Sequence, residues 1–321
     1  MYIMPKAKTQ LSEKTLVTYQ SVINGIRREI GLPRDEDDNG KWIVSNWVNI
    51  LKVIEGSAST HTKKNRAAVL KVWTDMFDLP EKYGKQLDMI MAEYANDVHD
   101  DYSKNTMNDK QKENWLSVEE LREILEKLRG KLPASVSAID TYSEYKQLLQ
   151  YFMLLIHLNT PLRNDLACAK LYKSSDLPDK QDENVNYISV DVSGKKAVLY
   201  LNNYKTKKDY GSKLIDLGGD VARDFVKYMD VFDRMSPNRW LMPDRHDNDK
   251  CISRTSYTKW FNDIFSDLGK KVSSTQIRRA VVSDLYDVDE NESKKKEELA
   301  SKMGHSVAVA SLVYAKHEPK K

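Results

Sequence analysis

Met303-Gly304-His305-Ser306, followed nine positions after the histidine by Tyr314, is the stretch of this chain that constrains its reading most tightly. Ser293 to Met303 carry a helical pattern, and a helix that runs into a glycine commonly ends with that glycine in the left-handed conformation. Ser306 is a capping residue, whose hydroxyl accepts from a backbone N–H in the first turn of the helix it opens. The spacing therefore predicts helix, turn, helix, with His305 in the turn and Tyr314 on the third turn of the second helix.

Two arginines stand far upstream. Arg163 closes Thr160-Pro161-Leu162-Arg163, and Arg278 lies in Thr275-Gln276-Ile277-Arg278-Arg279, with a lysine-bearing turn at Lys205 between them. In that order and at roughly those distances the four elements resemble the catalytic set of the tyrosine recombinases, the phage-integrase-like family. The resemblance implies a mainly α fold with a small antiparallel β-sheet: a helical core-binding domain that closes on DNA with an α+β catalytic domain. It also implies a site-specific recombinase or integrase of a virus or mobile element. Such an enzyme acts as a homotetramer on two double-stranded DNA sites, through a 3′-phosphotyrosine, with no metal, nucleotide or other cofactor.

The residue types suit that chemistry. Cleaving a phosphodiester without a metal needs a nucleophile, cations on the phosphate oxygens and an acid for the departing 5′ oxygen. The planar guanidinium forks of Arg163 and Arg278 match two non-bridging oxygens. Lys205, in a Lys-Thr-x-Lys string, is the expected acid, with Lys207 and Lys208 as substitutes. A phenol has an ordinary pKa of about 10, so Tyr314 needs these cations and His305 to favour the phenolate.

The chain departs from the family pattern in several places, and the stretch from Arg278 to His305 is a few residues longer than usual, through Asp287-Val288-Asp289-Glu290. Thr275 stands where the family most often has histidine, and a hydroxyl can bind a phosphate but cannot shuttle a proton as imidazole does. Leu166 occupies the usual carboxylate position, with Asp165 one residue earlier. Only seven residues follow Tyr314, where many family members dock a further helix into a neighbour, so either assembly differs or a tail is missing.

Composition sets the outer limits. With 321 residues the chain favours two domains, and 40% hydrophobic residues are enough for a core in each. Charged residues make up 31%, and no apolar run is long enough to span a bilayer. Met1 to Lys6 lack the apolar stretch of a secretory signal, which predicts an intracellular protein located with its DNA. Cys168 and Cys251 are too few for a disulfide framework or a zinc site and read as reduced structural residues. Net charge is only +3, so a DNA-binding surface must come from clustering. The candidates are Lys63, Lys64, Arg66 and Lys71 on one helix, Lys207 and Lys208 at the hairpin tip, and Arg279.

Periodicity orders the rest. Residues 1–102 read as a helical domain, with helices opened by Ser12 and Ser59, a further helix from Trp42 to Ile54 and another from Gln86 to Tyr94. Residues 103–114 are polar and read as an extended linker. The catalytic domain, 115–321, opens with a capping box at Ser117-Val118-Glu119-Glu120. A central apolar helix from Ser143 to Leu158 follows, then strands at Tyr187–Val190, Ala197–Leu201 and Lys213–Leu217, and helices to the end. Two rival functions fit the same residues: a type IB topoisomerase, and a catalytically silent DNA-binding protein.

Overall fold

A computed structural model describes residues 11–34, 40–103, 106–247, 249–288 and 293–316; the leader reading of Met1 to Lys6 lies outside them. The chain divides into two compact units, Met1–Lys104 and Asn105–Lys321.

The first unit is helical: α1 Glu13–Glu29, α2 Lys41–Ser45, α3 Trp47–Glu55, α4 Thr60–Met76 and α5 Glu81–Ser103. Ser12 and Ser59 cap α1 and α4 as expected, accepting from Thr15 N–H and Thr62 N–H at 3.2 Å each. Ile23, Ile26, Ile50, Ile54, Leu70 and Trp73 form the core. The helix expected from Trp42 to Ile54 is broken at Asn46, whose side-chain amide donates to Trp42 O at 2.9 Å and so competes with the backbone ladder. α5 runs well past Tyr94, because residues 95–103 hold no glycine or proline and extend a helix already nucleated by packing. The 103–114 stretch is likewise not simply extended: α6 Asp109–Glu113 forms behind a capping box made by Asn108 and Gln111.

In the second unit, α7 Val118–Lys131 opens with the Ser117–Glu120 capping box. It packs on α8 Tyr142–Asn159, which is buried almost end to end from Leu148 to His157. The sheet has the order β1-β2-β3-β4, with β1 Ala169–Lys173, β2 Asn186–Asp191, β3 Lys196–Leu201 and β4 Lys213–Asp216. The three anticipated strands pair antiparallel, Val190 opposite Ala197 and Leu199 opposite Ile215. β1 was not anticipated. It adds to β2 in parallel, placing Leu171 opposite Ile188, so the small sheet is mixed. Between β3 and β4 the hairpin tip carries a short helix, α9 Lys207–Tyr210. The helices α10 Gly219–Met235, α11 Arg254–Ile264, α12 Ser274–Val288, α13 Ser293–Met303 and α14 Val307–Val309 complete the unit. Among the described residues no helix is long and apolar enough to cross a membrane.

The cysteine reading is corrected. Cys168 and Cys251 form a disulfide across 83 positions, with Cα atoms 5.1 Å apart, inside the range a disulfide requires. Cys168 immediately precedes β1, and Cys251 pairs with Pro243 in a short bridge; that proximity is tertiary and invisible to a count of cysteines.

Candidate active site

Arg163 leaves the end of α8 through Thr160 and Pro161 and begins a 3-10 turn, Asn164–Cys168. Neighbouring side chains fix that turn: Asn164 Nδ2 donates to Thr258 Oγ1 on α11 at 2.9 Å, and Ser274 Oγ at the head of α12 donates to Asn164 Oδ1 at 2.7 Å. The same α12 carries Arg278, which is only 1% exposed although charged.

The C-terminal segment folds as its sequence predicts up to the last turn. Gly304 is left-handed with φ +68°, and His305 N–H returns to Ala300 O at 3.0 Å to close α13. Ser306 Oγ accepts from Val309 N–H at 3.2 Å. The helix beyond it is not a regular α-helix: α14 gives way at Ala310–Tyr314 to a π-turn, closed by Ala315 N–H to Ala310 O at 3.2 Å. Such widened turns recur at functional sites.

Four side chains meet there. Arg163 Nη2 and Arg278 Nη2 each lie 2.9 Å from His305 Nε2. A guanidinium only donates, so Nε2 is the acceptor and the imidazole proton sits on Nδ1. Arg163 Nη2 also points at the Tyr314 hydroxyl, at 3.5 Å. The Arg278 guanidinium lies 4.4 Å above the Tyr314 ring, a cation–π stack that seats the buried phenol.

The electrostatics follow from burial and crowding of like charge. Burial, then Arg163, Arg278, Lys205 and Lys213, push His305 down to about 4, so it is neutral at pH 7. Burial also brings Arg278 down to about 10, with Tyr314 opposing and Arg163 reinforcing the shift. Asp165 is buried beside this group, 3.8 Å from Arg254 Nη2. Burial pushes its carboxyl up, against the pull of Arg254, Arg163 and Arg278.

The remaining anticipated residues are placed as follows. Lys205 is exposed in the turn after β3, close enough for its charge to act on His305. Lys208 is exposed, whereas Lys207 reaches Glu183 at 3.2 Å. Arg279 Nη1 is held by Gln276 Oε1 at 3.1 Å. Thr275 is exposed on the first turn of α12 and, among the described residues, makes no hydrogen bond to the converging four. In the first unit, Arg66 is spent internally: it bonds Glu29 at 2.5 and 3.0 Å, Val53 O at 2.9 Å and Ser57 Oγ at 3.0 Å. Lys71 is paired with Asp75 at 2.6 Å, and Lys63 lies 5.3 Å from the Tyr94 ring. Lys64 is half-exposed. Lys213, which sequence reasoning passed over as an ordinary strand residue, stands beside His305 and donates to Ser301 O at 2.5 Å. No group of three or more His, Cys, Asp or Glu that could hold a metal is present among the described residues.

No family profile and no curated protein matches the sequence. Among solved structures, the crystal structure of XerA recombinase is similar over 96% of this chain and 89% of its own, at 13% identity and a TM-score of 0.42. A likeness that loose assigns no role to any residue.

Proposed function

We propose that the protein is a site-specific DNA recombinase or integrase that breaks and rejoins strands through a 3′-phosphotyrosine on Tyr314. The observation that carries this reading is the joint convergence of Arg163 and Arg278 on His305 Nε2, with the Tyr314 phenol between the same guanidiniums. Two guanidinium donors converging on one neutral lone pair are arranged to bind an anion. A scissile phosphate supplies stronger acceptors and draws both arginines from the imidazole. His305 Nε2 is then free to take the phenol proton as the phenol oxygen attacks phosphorus. The P–O5′ bond breaks, and the Lys205 ammonium gives a proton to the departing oxygen. Reversal by a 5′-hydroxyl restores the phosphodiester, since the phosphotyrosine bond conserves its energy.

Action on two double-stranded DNA sites by a homotetramer is part of this proposal and rests on the family resemblance of the ordered motif. Grip on flanking phosphates falls to the first unit, through Lys63 and Lys64, with Lys208 at the hairpin.

The test is a nicked suicide duplex drawn from DNA flanking the gene. The wild-type protein is expected to form a denaturation-resistant adduct and Tyr314→Phe none. Binding without an adduct would leave a silent DNA-binding protein; relaxation of supercoiled plasmid lacking any partner site would assign topoisomerase action instead.

A further inference from the structure

The turn that carries His305 is fastened to the lysine-bearing hairpin at points outside the arginine clamp. Thr206 Oγ1 donates to Gly304 O at 2.9 Å, and Lys213 Nζ donates to Ser301 O at 2.5 Å. Between these bonds the two segments touch: a Cβ built on Gly304 would lie 2.8 Å from Tyr204 Cε2 and 3.0 Å from Thr206 Oγ1. The hairpin tip is closed on itself by the Tyr204 hydroxyl, which donates to Gly211 O at 2.7 Å. Lys213 completes the seam, with its ammonium 5.1 Å from the Tyr210 ring.

The chemistry of the fastening is favourable. Ser301 lies in the last turn of α13, where the helix dipole is negative; its carbonyl accepts from Gly304 N–H at 3.0 Å and has a second lone pair for the Lys213 ammonium. Lys205 is the residue before Thr206 and has no bond of its own to the turn among the described residues, so its position relative to His305 is inherited from its neighbours.

We propose that Thr206 and Lys213 are positioning residues that lock the 202–212 hairpin to the 301–305 turn, so that Lys205 and His305 meet the scissile phosphate as one unit. This rests on the reaction proposed above. With the lock broken, His305 keeps its arginine partners, whereas the Lys205 ammonium loses its fixed relation to the leaving oxygen. The loss therefore falls on leaving-group protonation. Removing Lys213 also takes away one of the cations that face His305, the others being Arg163, Arg278 and Lys205.

The experiment compares the full-length protein with its Thr206→Val, Thr206→Ser and Lys213→Met variants. Each is assayed in single turnover on the nicked suicide duplex and on the same duplex with sulfur in place of the scissile 5′ oxygen. A thiolate leaves without a proton. Thr206→Val and Lys213→Met are expected to cleave the ordinary duplex about tenfold or more slowly, the size of a lost charge-assisted or buried hydrogen bond. Both should cleave the sulfur duplex near the wild-type rate, and Thr206→Ser should recover the rate on the ordinary duplex. In Lys213→Met the His305 imidazole, followed by NMR, should titrate at higher pH. Unimpaired cleavage of the ordinary duplex by both variants overturns the lock, and so does an equal loss on the two duplexes. A wild-type protein that forms no adduct on either duplex overturns the proposed reaction and the lock with it.

Discussion

Arg278 Nη2 lies 2.9 Å from His305 Nε2, across 27 positions of sequence, with the imidazole as acceptor. Arg163 reaches the same nitrogen at the same distance. The arrangement stores two cations against one neutral lone pair, an electrostatic debt that burial deepens and that an oxyanion relieves.

Arg278→Lys is expected to lower the single-turnover cleavage rate by about 10² to 10³, the usual cost of removing a fixed donor from a developing oxyanion. Lysine keeps the charge but lacks the planar fork that bonds a phosphate oxygen while stacking on Tyr314. A rate within about threefold of wild type would contradict the clamp.

His157 gives a pH dependence of stability. It is fully buried on α8, its Nδ1–H bonds Met153 O at 2.9 Å, and burial pushes it down from 6.5 to about 4. The folded-state value is below the unfolded one, so below pH 6.5 the unfolded chain takes up a proton that the folded chain refuses. Stability is therefore lost as pH falls from about 6.5 towards 4, by about 3 kcal/mol from this group. Urea unfolding across that window should show the slope, and His157→Gln should remove its share of it, the remainder coming from His305, which is held down over the same range. Carboxylates held low by hydrogen bonds, such as Asp191, act at lower pH.

The Cys168–Cys251 disulfide closes a loop of 83 positions within the second unit. Its reduction should cost about 2 to 4 kcal/mol, seen as a lower melting temperature in reductant. Cys251→Ala should melt at the reduced value and ignore reductant; identical wild-type melting with and without reductant would count against the pairing.

Gly304→Ala combines a left-handed backbone with a methyl 2.8 Å from Tyr204 Cε2. Both effects destabilise, by a total of about 2 kcal/mol or more. The loss should be local, seen as faster amide exchange over α13 and the 304–314 segment than over α8.

Arg66 and Lys64 should separate cleanly. Arg66→Ala breaks bonds to Glu29, Val53 and Ser57 and should cost about 1 to 3 kcal/mol of stability. Lys64→Ala should leave melting unchanged and reduce the salt dependence of DNA binding by about one counterion. A lower salt slope in Arg66→Ala with unchanged melting would restore Arg66 as a phosphate contact.

The amino-acid sequence determined by itself whatever depends on near neighbours along the chain. Ser12, Ser59, Ser117 and Ser306 cap helices through N–H groups three positions on, and Gly304 ends α13 because only glycine adopts that backbone without strain. The apolar run of α8 marked it as central. The tertiary structure decided what depends on residues far apart. It added β1 in parallel to β2, joined two cysteines, and spent Arg66 and Lys71 on acidic partners instead of leaving a basic face. It left Thr275 outside the clamp and brought Lys213 to His305. The order of Arg163, Arg278, His305 and Tyr314 was legible from end to end, but their meeting was implied only by the family resemblance and not by any local pattern. Helical and strand periodicity report which face of an element is buried, and carry no information about which distant side chain lies opposite it.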